Sequence, residues 1–244
     1  MSLLEGKDNF QSRTAKVPVL SEILGEVPFG RTILLLYDPD APTTSLLVNV
    51  SAEYLRAGGD LLYFCSCQPV VELRQRFERL GLEITDYEAK DSAVLFDAYS
   101  TQAGTKSNEK YQSATLNLNE LSISSAKSAP QWPAGTLVVW ESLSNIAFGQ
   151  ENIFAKFSRK MLSTWRPQGT IMIAGFADGL HPPSFYQEMK LISDAVIEIK
   201  LEEHEGEIVN TIRARSFKGQ NSDTKVRRIT FDDQMKATLQ LLNA

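Results

Sequence analysis

A chain of 244 residues, 43% hydrophobic and 23% charged, is long enough to bury one sizeable core in a single domain and requires no second module. Its formal net charge of -5 excludes broad electrostatic attraction to nucleic acid or to an anionic membrane surface, leaving at most a local basic strip for either. No segment approaches the roughly 20 uninterrupted apolar residues of a membrane span, and Met1–Leu20 lacks the charged-then-apolar layout of a secretory signal, so a cytoplasmic location is expected.

In chain order, Met1–Ala15 is polar and without pattern, and residues 1–18 are expected as a tail before one domain over 19–244. Val19–Gly25 gives a short helical turn stopped by glycine, and Pro28-Phe29-Gly30 leads into the first core strand, Thr32–Leu36. Asp38-Pro39-Asp40-Ala41-Pro42 is a turn cluster. Thr43-Thr44-Ser45 then offers caps for a helix through Leu55 that carries Leu47, Val50 and Tyr54 on one face. Gly58-Gly59 ends that helix before the strand Leu61–Cys65, and Pro69–Leu80 is a helix with Val70, Leu73, Phe77 and Leu80 on one face. Val94–Tyr99 reads as a short buried strand, Thr101–Lys110 as polar loop, and Asn117–Ser128 as weak helix closed by a turn at Pro130–Pro133.

Leu137–Ser142 is a hydrophobic strand carrying the acid Glu141, followed by a helix lined by Phe154, Phe157, Met161 and Trp165 and by the strand Thr170–Phe176. Phe185, Met189 and Ile192 mark a further helix. Ala195–Leu201 and Ile208–Arg215 form a hairpin turned at Glu205-Gly206, and Val226–Phe231 is a late strand. The early alternation of strand and helix requires a mostly parallel sheet covered on both faces, and the late hairpins add antiparallel strands at one edge.

The stretch Phe29–Asn49 stands where an α/β nucleotide-binding protein places its phosphate loop. Such a loop needs glycines so that successive amides can curl round phosphate, a lysine for the β and γ phosphates, and a hydroxyl for Mg²⁺. Here Asp40 and Pro42 fall where glycines belong and Thr43 where the lysine belongs; Thr44 and Ser45 keep the hydroxyls. Either this is an ordinary strand-to-helix connection, or Pro39, Asp40, Ala41, Thr43, Thr44, Ser45 and Glu141 are a vestigial or weak nucleotide site. Pro42 removes an amide and fixes φ. Asp38 and Asp40 add negative charge, and two like charges about 4 Å apart repel by about 4 kcal/mol at an effective dielectric near 20.

Several landmarks in order carry a resemblance: SEILGEVPFGRTILLL, YDPDAPTTSLLVN, GGDLLYFCSCQP with a following helix ending RLGLEI, LFDAYS, LVVWESLS, and FADGLHPPSFYQEMKLISDAVIEI. From about Leu20 to about Phe231 the chain resembles the RecA-like, KaiC-like family of P-loop ATPases. The resemblance implies an α/β, RecA-like three-layer sandwich, with the strand before the loop and the strand bearing the Mg²⁺-linked acid as neighbours. By it Glu141 matches the Walker B acid, and Cys67-Gln68 stand where two carboxylates prepare the attacking water. With the lysine and both carboxylates missing, the expectation is a domain without ATPase activity, without a resident cofactor and with ATP and Mg²⁺ disfavoured. It would act as a regulatory or scaffolding subunit, as a homo-oligomer or beside a RecA-like relative. The alternative is a divergent ATPase completed by a neighbour's basic residue, in signalling or nucleic-acid-linked processes.

In ring-forming relatives the late hairpin reaches the adjacent subunit's nucleotide, which makes Arg213, Arg215 and Lys218 candidates for subunit contact; a solvated edge strand guarded by cations is the plainer reading. Cys65 and Cys67 lie two apart in the expected strand, too close for an unstrained disulfide, and read as reduced core cysteines. A structural zinc needs four ligands and only His181 and His204 remain, so no metal is expected. His181 reads as a turn residue, since nothing near it in sequence supplies a nucleophile and an orienting acid.

Overall fold

The apolar runs become strands buried on both faces. A computed structural model describes residues 13–112, 118–119 and 132–242. In order the elements are β1 (Thr14–Ala15), α1 (Ser21–Leu24), β2 (Val27–Pro28), β3 (Thr32–Tyr37), α2 (Thr43–Arg56), β4 (Leu61–Cys65), α3 (Val70–Arg79), α4 (Ile84–Glu88), β5 (Ala93–Asp97) and α5 (Tyr99–Gln102). After residue 132 follow β6 (Leu137–Trp140), α6 (Ser144–Ala147), α7 (Glu151–Trp165), β7 (Ile171–Ala177), α8 (Pro183–Ile192), β8 (Ala195–His204), β9 (Glu207–Phe217), β10 (Arg227–Phe231) and β11 (Ala237–Leu241). The weak helix expected at Asn117–Ser128 and the start of the turn after it lie outside the described residues, apart from Leu118 and Asn119.

Among the described residues the main sheet has nine strands in the order β11-β10-β9-β8-β3-β7-β6-β4-β5. From β8 to β5 neighbours are parallel, and β8 to β11 form antiparallel pairs. This is the α/β, RecA-like arrangement expected. Alternate residues of each central strand feed two cores. Ile33, Leu35, Tyr63, Val139 and Ile173 pack with α2 and α3, and Leu34, Phe64, Val138, Trp140 and Met172 pack with α7 and α8. One expectation fails: β3 and β6 are not neighbours, because β7 lies between and pairs with both.

The start of the chain, expected as tail, is tied down over its last residues. β1 pairs with β2, and Val17 is fully buried. The Thr43-Thr44-Ser45 hydroxyls do not cap α2. Pro42 holds the cap position without a side-chain bond, and the buried Thr43 hydroxyl has no partner. Only Cys65 of the two free cysteines is a core residue; the strand ends there and Cys67 is exposed.

β11 also lies beyond what the pattern disclosed. Asp232 Oδ1 accepts the Gln234 and Lys236 amides and turns the chain back. Buried Asn49, in the middle of α2, donates to the Met235 carbonyl at 2.7 Å and accepts the Ala237 amide at 2.8 Å. The last hairpin is thereby strapped across α2, which places its first turn at the end of β3 under firm packing.

Candidate functional site

The chemistry expected of the loop gathers where β3, β4 and β6 end, the place at which parallel α/β sheets present ligands. Between β3 and α2 the backbone amides are spent locally. Asp40 donates to its neighbour Asp38 Oδ1 at 3.1 Å, Ala41 to the Asp38 carbonyl at 2.9 Å and Thr43 to the Ala41 carbonyl at 2.7 Å, while Pro42 has no amide to give. Four successive positions therefore offer no donor to a phosphate. Pro39 and Asp40 are exposed, and Ala41 is partly buried against the α2 side of the core.

The acid at the end of β6 is enclosed. Glu141 is 1% exposed; its Oε1 accepts the Thr44 hydroxyl at 2.8 Å, and its Oε2 accepts the amides of Ser66 at 3.2 Å and Cys67 at 3.0 Å. Ser66 Oγ and the Ser142 backbone exchange bonds of 2.8 and 3.0 Å, closing β4 onto β6. The carboxylate is balanced by three dipolar donors rather than by a cation. Burial, with the Glu141 charge among the lesser causes, pushes the Tyr37 and Tyr63 phenols well above their ordinary range.

Gly175 on β7 is what lets the acid sit there. A β-carbon at this position would lie 2.3 Å from the Glu141 carbonyl oxygen and 3.2 Å from that of Trp140. The Leu143 amide donates to the Gly175 carbonyl at 2.8 Å, so the chain leaving β6 bends directly over the glycine. No sequence feature had singled this residue out, and Ser66 and Arg76 were missed with it.

Arg76, on α3, donates from Nε to Gln68 Oε1 at 2.8 Å and reaches Ser45 Oγ at 3.4 Å. Gln68, one of the two residues standing where the resemblance assigns water-preparing carboxylates, is thereby paired with an arginine. Cys67 as a residue is exposed, yet its Sγ turns toward Ser66 Oγ, 3.9 Å away, and its thiol is pushed up to about 12 by desolvation and then by the Glu141 charge. Because only the thiolate reacts, alkylation of Cys67 by iodoacetamide at pH 8 is expected to run at least about 100-fold slower than that of a free cysteine. Glu141→Gln should quicken it; equal rates in protein and peptide would refute the shielding.

The remaining candidates lie elsewhere. Glu198 accepts Arg213 at 2.9 Å and Arg215 at 3.3 Å, and Lys218 donates to the Leu191 and Lys190 carbonyls at the end of α8, at 2.6 and 3.3 Å. The Lys218 amide bonds the Asp194 carbonyl just before β8. It therefore stands at the opposite end of the sheet from Thr44 and Glu141. His181 is buried, its Nδ1 3.1 Å from Glu151 Oε1 and its Nε2 without a partner, packed against the rings of Phe176, Phe185 and Tyr186. It does lie in the turn between β7 and α8, but buried there. Among the described residues no group of three or more His, Cys, Asp or Glu side chains is placed to hold a metal ion.

The loop has threonine in place of the lysine and its amides at 40, 41 and 43 are engaged, Arg76 reaches Ser45 Oγ at 3.4 Å, and the Glu141 carboxylate already has three donors. The fold nonetheless has relatives. A family model described as "ATPase: KaiC" matches residues 15–235. The crystal structure of a KaiC-like protein from the hyperthermophilic archaeon Pyrococcus horikoshii OT3 matches over 95% of this chain and 99% of that one, with a TM-score of 0.71 and 16% identity, a likeness of fold alone. No curated protein sequence matches.

Proposed function

The chain belongs to the KaiC family of ATPases, and from that premise we propose that it is a member that no longer hydrolyses ATP and works as a regulatory or scaffolding subunit in an oligomer of itself or with a RecA-like relative. The observation that carries this reading is the loop between β3 and α2, whose amides at 40, 41 and 43 are committed to acceptors in the loop itself, with proline at 42 and threonine where the lysine would stand. With the lysine replaced and the amides at 40, 41 and 43 engaged, little within the loop offsets the charge of a triphosphate, and Asp38 and Asp40 oppose it. Glu141 then serves as a buried tie between β6, β4 and α2. We place this action in the cytoplasm; among the described residues no helix is long and apolar enough to cross a membrane.

Calorimetric titration with ATP and Mg²⁺, alongside solution mass with and without nucleotide, tests the reading. The expected result is no binding heat below millimolar nucleotide and a mass indifferent to it. Submicromolar binding would overturn it. One observation favours the alternative, a divergent ATPase completed by a neighbour: the Thr44 hydroxyl and Glu141 stand 2.8 Å apart, as a hydroxyl and an acid sharing Mg²⁺ would. Hydrolysis abolished by Thr44→Val would establish that alternative.

A further inference from the structure

The main sheet ends on two unlike edges. At one, the Asp97 amide of β5 bonds the Tyr111 carbonyl, so a later stretch of the chain takes up that edge at its end. At the other, β11 is the last strand and pairs only with β10. Leu241 on it is 54% exposed. From Ala237 to Leu242 there is no charged residue and no proline, the usual devices by which an edge strand refuses a partner.

The direction of the backbone groups follows from the pairing. The Asp232 amide donates to the Lys236 carbonyl and the Leu242 amide to the Val226 carbonyl, both at 3.1 Å, so the even-numbered residues of β11 face β10 and the odd-numbered ones turn their amides and carbonyls outward. Asn49 on α2 already holds the start of this outer edge, accepting the Ala237 amide at 2.8 Å and donating to the Met235 carbonyl at 2.7 Å. Among the described residues the amides and carbonyls of Leu239 and Leu241 have no partner. Two donors and two acceptors therefore stand in a row, with Asn49 as a stop at one end.

A second copy of the same strand fits this edge. Run antiparallel with Leu239 opposite Leu241, it puts Gln240 opposite its own counterpart, and the open groups of both copies are all used in four hydrogen bonds. Leu239 already packs on the α2 side of the core, so on that face the four leucines meet and cover Leu241, while the two Gln240 side chains lie together on the other. No like charges oppose each other. A longer foreign strand would run into Asn49. We propose that β11 of two copies pairs in this register about a two-fold axis at Gln240, joining their sheets into one. The contact is self-complementary and closed, so assembly through it stops at two. It deepens the scaffold reading, on which its purpose rests, and does not depend on nucleotide.

The test measures solution mass by light scattering up to near-millimolar protein. Wild type is expected to approach twice its 27.2 kDa monomer mass. Leu241→Pro removes an outward amide and no bond to β10, so circular dichroism should show the fold kept; with two of four bonds lost, the dissociation constant should rise at least about tenfold. In a Cys67→Ser background, Gln240→Cys should form a disulfide-linked dimer on mild oxidation, because directly opposed residues of a non-hydrogen-bonded pair have Cα atoms about 4.5 Å apart. Thr238→Cys should not, since its counterpart lies roughly 13 Å along the strand from the residue facing it. A monomeric wild type, or Thr238→Cys linking as readily as Gln240→Cys, overturns the proposal. An oligomer indifferent to Leu241→Pro overturns it while leaving the scaffold reading standing, and ATP titration bears on that reading alone.

Discussion

Gly175→Ala is expected to destabilise the fold by about 3 kcal/mol, because overpacking of a site that can only relax by moving backbone lies at the upper end of the usual 1–3 kcal/mol. The added β-carbon would meet the Glu141 carbonyl oxygen at 2.3 Å, and that oxygen belongs to the chain just past β6 and has no rotamer to change. β6 and β7 would have to part where they are hydrogen-bonded at Trp140 and Ala174. For a domain of this length the loss corresponds to roughly 6–12 °C in Tm. Thermal unfolding checks it, and a change below about 0.5 kcal/mol would mean that the two strand ends separate freely. The same displacement should carry Glu141 away from Thr44.

Replacing Glu141 itself separates a structural tie from a metal ligand. Glu141→Ala removes the acceptor of three buried or half-buried donors, the Ser66 and Cys67 amides and the Thr44 hydroxyl, and should cost about 3 kcal/mol. Glu141→Gln should cost less than about 1 kcal/mol. Its amide can turn so that the oxygen accepts both backbone N–H groups while the nitrogen donates to Thr44 Oγ1, and it also removes a buried charge that no cation balances. Chemical denaturation of the two variants gives the comparison. If Ala and Gln are equally mild, the carboxylate holds nothing together and the structural role fails.

The strands and long helices were legible because their signals are local. Thr32–Tyr37 and Leu137–Trp140 are continuous apolar runs, and α3 and α7 carry apolar residues at helical spacing between proline and glycine punctuation. The helix α4 is a single short turn with two acids, and β11 alternates over only five residues behind a charged turn, so neither announces itself. At the site, Thr44 and Glu141 were readable as residue types set in order along a familiar pattern, and the structure brings them to 2.8 Å. Their other partners were not. Ser66 and Cys67 contribute backbone amides, which every residue possesses, and Gly175 matters through an atom it lacks. Arg76 stands on the polar face of an amphipathic helix, where an arginine is ordinary until packing aims it at Gln68. The insertion of β7 between β3 and β6 is a matter of strand order, which residue patterns alone do not encode.

Besides the Ser45 carbonyl one turn back, the Asn49 side chain bonds Met235 and Ala237, 186 and 188 residues further along the polypeptide. During synthesis the side of α2 that this strap covers stays bare until residues 235–237 have left the ribosome, so a nascent chain halted before residue 237 lacks that cover. Closing so long a loop is entropically late by nature. The hairpin over α2 thus joins late what the earlier part of the chain has already assembled.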